Sequence, residues 1–335
     1  MYLLAPVNFD RLNECARWFK KPIARKLAVK KGVGFGVELK GEPETIKKAP
    51  PFYWGYHLPD NFASQYYYHP ETRRNLMSSL SHIPSFKPQY VNIHGMHLWW
   101  EPKNSRGIKK YINHSEPEEY LKILKTNIEL INKLKKTLPL TIENYPLYAY
   151  CMKDGKRIPD TFLLIGIGRL DDLLYLKKKT GVGILLDVEH LITTLNFLNR
   201  IQNYRDIPIE KISNLTQAEQ KVKDIFGFFL RKGSFPYVEK KIDMAKMIEK
   251  VGAKRYHVTG STQDVIFGKK IVTHGPIELE DETFRKNLRL ILAQKPESIL
   301  LETANSRVDS DFPYLRPNET QLSFYNLCEI LLEEL

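Results

Sequence analysis

Cysteine is scarce in this chain. Its three cysteines, Cys15, Cys151 and Cys328, lie far apart and in no C-x-x-C pattern, which excludes a disulfide framework and a thiolate metal site. Long apolar runs are missing too. None approaches the ~18 residues of a membrane span, and the opening MYLLAPVNFD lacks the basic flank and apolar length of a secretory signal. The expectation is a soluble, cytoplasmic protein with no membrane partner. There is no internal repeat, no low-complexity linker and no concentrated basic arm. The +12 formal charge, from 51 basic and 39 acidic residues, is spread through runs such as KLAVKKG, KLKK and LKKK. Such a surplus suits an anionic partner, DNA or a phosphorylated substrate, and equally suits a lysine-rich solvated surface. Charge alone names no partner, and the oligomeric state is left open.

What is present is a chain of 335 residues, 42% of them hydrophobic, long enough for one large barrel or two ordinary domains. Short runs rich in β-branched and aromatic residues alternate with helical patterns, the order of a parallel sheet with crossover helices. Eight strands are predicted, at 2–7, 34–39, 52–57, 90–96, 139–144, 183–188, 255–259 and 298–303. Eight suggests a closed (β/α)8 TIM barrel, here as a single domain over 1–335. The clearest helix is 117–138, where Leu121, Leu124, Ile128, Ile131 and Leu134 recur at steps of three and four. Further helices are predicted at 160–179 and 319–332, the last covering the barrel's final gap. The 191–252 connection is unusually long. Its aromatic and basic stretch KDIFGFFLRKGSFPYVEKK suits a lid or partner surface, and simple helical elaboration is as good a reading.

In such a barrel the active site gathers at the C-terminal ends of the strands. Strand two ends near Glu38, strand three at His57, strand four at His94, strand five at Glu143 and strand six at Asp187 with His190 just beyond. Strand seven ends at His257 and strand eight at Glu302, and His274 follows in VTHGPIELED. A lone strand-end histidine is usually a hydrogen-bonded core residue, and Asp187 with His190 also reads as a helix N-cap and first turn. Imidazoles and carboxylates gathered on one rim point to a metal site, because carboxylates sharing a pocket repel unless cations lie between them. Ligands of this kind without cysteine suit divalent zinc or manganese, with iron as the alternative. Glu38, His97, Asn144 and Gln263 are candidate substrate contacts; the plainer readings are a lysine ion pair for Glu38, loop packing for His97, and orienting Glu143 or capping the turn for Asn144.

These phrases resemble the xylose isomerase-like barrel superfamily, most of all its endonuclease IV branch. The matching positions are His57 in GYHLP, His94 in NIHGMHL, Glu143 in TIENY, Asp187 and His190 in DVEH, His257 in YHVTG and Glu302 in LLET. The resemblance implies a phosphoester hydrolase with two or three metals bridged by Glu143, with Glu143 and Glu302 taking part in catalysis. His190 and His274 would hold a third cation or bind phosphate, although the branch's Asp-x-His pair is reduced here to Val272-Thr273-His274. Sugar isomerases and epimerases of the superfamily match at Glu143, Asp187, His257 and Glu302, around one metal. In them the two glutamates move a proton and His190 matches a substrate-binding residue. IENYPLY, TGVGILLDVEH, YHVTG and THGPI also resemble multinuclear iron enzymes that modify cysteine residues of peptides. A scaffold with a structural metal is the remaining reading.

Overall fold

The structure is a computed structural model that describes residues 1–59, 62, 63, 66, 70–95, 98–100, 117–145, 148–153, 156–165, 170–192, 244–260, 264–266, 269–271, 275–302 and 319–335. Its centre is a closed barrel of eight parallel strands: β1 (Tyr2–Asn8), β2 (Gly34–Lys40), β3 (Tyr53–His57), β4 (Tyr90–His94), β5 (Leu140–Glu143), β6 (Gly183–Asp187), β7 (Arg255–Val258) and β8 (Ser298–Leu301). Each pairs with its neighbour in chain order, and β8 returns to β1 through Tyr2 opposite Ser298 and Leu4 opposite Leu300. All eight predicted strands are present with their ends moved by one or two residues. The chain is a (β/α)8 barrel.

Alternation along each strand builds two cores. On β1, Leu3, Ala5 and Val7 face the helices, while Leu4 faces inward and joins Tyr90, Leu185 and Leu300 in the barrel interior. Glycine makes room for that interior: a Cβ at Gly55 would overlap the Tyr90 ring, and one at Gly36 would overlap Leu4. Toward the strands' C-terminal ends the inward positions turn polar. They carry Glu38, His57, Asn92, His94, Thr141, Glu143, Asp187, His257 and Glu302, all buried.

The surrounding helices among the described residues are α1 (Leu12–Trp18), α2 (Pro22–Lys31), α3 (Arg73–Leu80), α4 (Pro117–Leu134), α5 (Leu170–Thr180), α6 (Met244–Val251), α7 (Glu282–Ala293) and α8 (Glu319–Glu334). Their boundaries follow local chemistry. Pro22 opens α2, and Gly32 ends it in the left-handed region at φ 64°. The Asp281 carboxylate accepts from the Phe284 amide at 2.9 Å and caps α7, whose Phe284, Leu288 and Ile291 form one buried stripe. On α8, Phe324 packs against Trp18 of α1 and Phe35 of β2, closing the first-strand side of the barrel.

Two predicted helices change extent. That at 117–138 ends at Leu134. That at 160–179 begins only at Leu170, because Lys156–Ile165 is a strand paired antiparallel with Tyr148–Lys153 and with Leu98–Trp100. The RIPDTFLLI segment carries β-branched and aromatic residues at a spacing that a hairpin partner captures. A second small ribbon pairs Asp264–Ile266 with Lys269–Ile271. Residues 193–243 lie outside the described residues, so the lid expected in 191–252 falls there. Among the described residues no helix is long and apolar enough to cross a membrane.

Candidate metal centre

Seven of the predicted ligands meet at one end of the barrel. Strand register does the gathering, since His94 pairs with Glu143 across β4–β5 and His257 with Asp187 across β6–β7. Glu143 is central and fully buried. Its Oε2 lies 3.0 Å from His57 Nε2 and 3.2 Å from His94 Nε2, while its Oε1 lies 3.0 Å from His257 Nδ1 and 3.8 Å from His190 Nδ1. One carboxylate therefore faces two histidine sets with different oxygens. The ligand atoms of His57, His94 and Glu143 lie within 4.8 Å of one another, as do those of Glu143, Asp187, His257 and Glu302. The cluster is a candidate two-cation centre sharing Glu143.

Hydrogen bonds fix which histidine nitrogen faces inward. His57 Nδ1 donates to the Leu58 carbonyl at 2.7 Å and His190 Nδ1 to the Asn144 carbonyl at 2.8 Å, so both turn Nε2 away from those carbonyls. His257 is reversed. Its Nε2 meets Glu38 Oε2 at 3.2 Å, and its Nδ1 points at Glu302 Oε2 at 2.6 Å, Glu143 Oε1 at 3.0 Å and Asp187 Oδ2 at 4.0 Å. A single N–H satisfies one such oxygen and leaves the others in mutual repulsion. Glu143 Oε1 competes for the single His257 Nδ1 proton with Glu302 Oε2, which lies nearer to it. A buried nitrogen ringed by three carboxylates is the donor set of a divalent cation, so these residues fit one.

Electrostatics say the same. Burial works against ionisation of Glu143, yet the His257 and His94 charges with hydrogen bonds from His257 and His57 hold it well below the usual carboxylate range. Burial raises Asp187 well above its usual value, reinforced by Glu302, Glu143 and Glu189. His257 is raised well above an ordinary histidine: burial opposes its charge, but Glu143, Glu38 and Glu302 outweigh it.

The supporting residues are now visible. Asp187 divides its oxygens: Oδ1 accepts from the His190 amide at 2.8 Å, capping the turn that begins at Val188, and Oδ2 faces the centre. The N-cap and ligand readings of Asp187 are therefore compatible. The Asn144 amide group holds the Asp187 backbone from both sides, at 2.8 Å each way, so this predicted substrate contact is engaged in joining β5 to β6. Glu38 sits beneath the ligands, wholly buried, with Tyr90 Oη donating to it at 2.6 Å. His97, Gln263 and His274 lie outside the described residues. Of the aromatic residues after strand three, Phe62 is buried in the core and Tyr66 packs under Arg73 and Lys133, while Tyr67 and Tyr68 are outside the described residues.

Three residues escaped the sequence reading. Asn92 donates to Glu143 Oε2 and, through its own oxygen, accepts from Thr141 at 3.2 Å. Lys40 places Nζ 2.5 Å from Glu302 Oε1 at the end of β2. Tyr145 stands edge-on to His94 at 4.3 Å between ring centroids. Period-two alternation carries the signal for the first two, since Asn92 shares a face with His94 and Lys40 with Glu38.

No protein-family model and no curated protein matches this chain. Fourteen chains among the solved structures match it, and two of these illustrate the likeness. One is a xylose isomerase-like TIM barrel protein from Mycobacterium smegmatis in complex with magnesium, 13% identical, covering 98% of this chain and 80% of that one at a TM-score of 0.43. The other is endonuclease IV from Thermus thermophilus, 12% identical, covering 100% of this chain and 99% of that one at a TM-score of 0.46. What the centre can do is read from its own geometry.

Proposed function

We propose that this chain is a metal-dependent enzyme that hydrolyses phosphoesters, with DNA as one substrate class that its basic surface would attract. The observation that carries the reading is the division of Glu143, one oxygen toward His57 and His94 and the other toward His257. His57 and His94 would hold one cation, Asp187, His257 and Glu302 the other, and Glu143 would bind both. Zinc or manganese held there would supply positive charge for acidifying water and neutralising a phosphoryl group.

The remaining roles belong to the protein. Asn92 orients Glu143, and the Asn144 amide holds Asp187 in register. His190, its Nδ1 committed to a carbonyl, would offer Nε2 to a substrate oxygen. Lys40 brings a fixed positive charge to the rim beside Glu302, where it would meet an anionic oxygen. The +12 formal charge would raise the encounter rate with a polyanion.

One observation favours a second reading. Glu143, Asp187, His257 and Glu302 form a complete ligand set by themselves, enough for a one-metal sugar isomerase or epimerase with two glutamates as acid and base. Activity assays separate the readings. Cleavage of abasic-site DNA or a simple phosphodiester, abolished by chelator and restored by zinc or manganese, is the expected result. Ketose interconversion without phosphodiester cleavage would replace it with the isomerase, and oxygen uptake with a cysteine peptide would replace it with an iron enzyme.

A further inference from the structure

We propose that Glu38 is a positioning residue that sets which nitrogen of His257 faces the metal centre, and thereby governs cation affinity in the half built from Glu143, Asp187, His257 and Glu302. The proposal rests on the two-cation reading. Its basis is a line of contacts through the barrel interior beneath the ligands. Glu38 is wholly buried, and its Oε2 receives both Tyr90 Oη at 2.6 Å and His257 Nε2 at 3.2 Å. The Arg255 guanidinium lies 4.9 Å from the Tyr90 ring centroid and is held by Glu297 at 2.8 Å. Tyr53 donates to the same Glu297 oxygen at 2.7 Å, with its ring stacked on Tyr2 at 4.1 Å.

Glu38, Tyr53, Tyr90 and His257 come from inward positions of four strands, the half-exposed Glu297 lies just before β8, and Arg255 sits two before His257 on β7. That spacing lets one strand present both the cation beneath Tyr90 and the ligand above Glu38. His57 and His190 are oriented by backbone carbonyls, so their ring orientation survives most side-chain changes. His257 depends on a carboxylate 219 residues away. A carboxylate that accepts from the remote N–H of a ligating imidazole fixes its tautomer and strengthens it as a ligand, an effect worth roughly 10–100-fold in metal affinity.

The test is zinc titration of the whole protein against a competing chelator, with nitrogen-15 histidine spectra of the zinc-loaded form. Wild type is expected to bind two zinc ions, with His257 protonated on Nε2 while His57 is protonated on Nδ1. Glu38→Leu should weaken one zinc by roughly 10-fold or more and spare the other. Glu38→Gln, whose amide oxygen still accepts from Nε2–H, should recover most of the loss, and Tyr90→Phe should weaken the same zinc by a smaller factor. His257 protonated on Nδ1 in wild type would overturn the proposal, as would equal loss of both zinc ions or no loss at all in Glu38→Leu. A wild type that binds a single zinc would instead remove the two-cation reading. The tautomer of His257 would then still decide the role of Glu38, and it needs no variant to fold.

Discussion

Asp187 shows how far the centre departs from what folding alone would favour. A carboxyl raised well above its ordinary value is a group the folded chain holds at a cost, through burial and the charges of Glu302, Glu143 and Glu189. Asp187→Asn keeps an oxygen to cap the His190 amide and removes the repulsion. The metal-free variant is therefore expected to be more stable than wild type at neutral pH, by about 1.4 kcal/mol for each unit between the usual ~3.9 and the raised value or the working pH, whichever is lower, while losing one cation. Denaturant titration of the two apo proteins checks this, and an unstable variant would mean that its oxygen makes a contact stronger than the repulsion. Lys40 carries the second prediction at this scale. Lys40→Met should leave metal content unchanged and weaken inorganic phosphate binding to the zinc-loaded protein by roughly 10-fold, the scale of one charge-assisted hydrogen bond. Unaltered phosphate affinity would confine Lys40 to its ion pair with Glu302. The thiols of Cys15 and Cys328 take no part. Burial pushes Cys15 up to about 12, with the Glu14 charge adding to it, and it pushes Cys328 up to about 12 as well.

At the scale of the element, strands carry the site and glycines carry the strands. Gly55 on β3 leaves the space that the Tyr90 ring of β4 fills, and Tyr90 in turn steadies Glu38. Gly55→Ala is expected to destabilise the fold by about 1–3 kcal/mol through overpacking and to weaken zinc binding with it, read by denaturant titration and chelator competition. Tolerance of the methyl group would show that the interior can yield there. The strands are legible in the sequence because each is a short β-branched or aromatic run, and most end on or beside an ionisable residue, as GILLD and RYHV do. The ligands follow from that ending. Alternation also places Asn92 and Lys40 on the ligand face but does not give their roles, because Asn92, Lys40 and Tyr90 act through partners on other strands. Asn92 reaches Glu143 across 51 positions and Lys40 reaches Glu302 across 262, and no local pattern encodes those distances. The start of α5 is hidden for a related reason. Lys156–Ile165 is apolar enough for a helix until Tyr148–Lys153 offers it an antiparallel partner.

For the whole molecule, stability and metal content are linked through protons. In the metal-free state Asp187 and His257 both hold protons more tightly than an unfolded chain would. Asp187 therefore costs stability increasingly as pH rises from the usual ~3.9 toward its raised value. The contribution of His257 is full below the usual ~6.5 and is lost as pH rises through its raised value. Glu38 and Glu143 run the other way: their contribution is present above the usual ~4.3 and is lost as pH falls toward their lowered values. Cations displace the two retained protons, so the rise in Tm produced by saturating zinc should be larger at pH 8 than at pH 6, as calorimetry would record. A zinc-induced rise independent of pH would mean that the ligands are already deprotonated without metal.

The most direct measurement is elemental analysis of protein purified without added metal or chelator, as atoms per chain, in wild type and in His57→Ala and His94→Ala. The shared Glu143 predicts two cations in wild type and one in each variant, with the remaining cation held by Asp187, His257 and Glu302. A single cation in wild type that both substitutions leave in place would contradict the account and make His57 and His94 contacts for substrate.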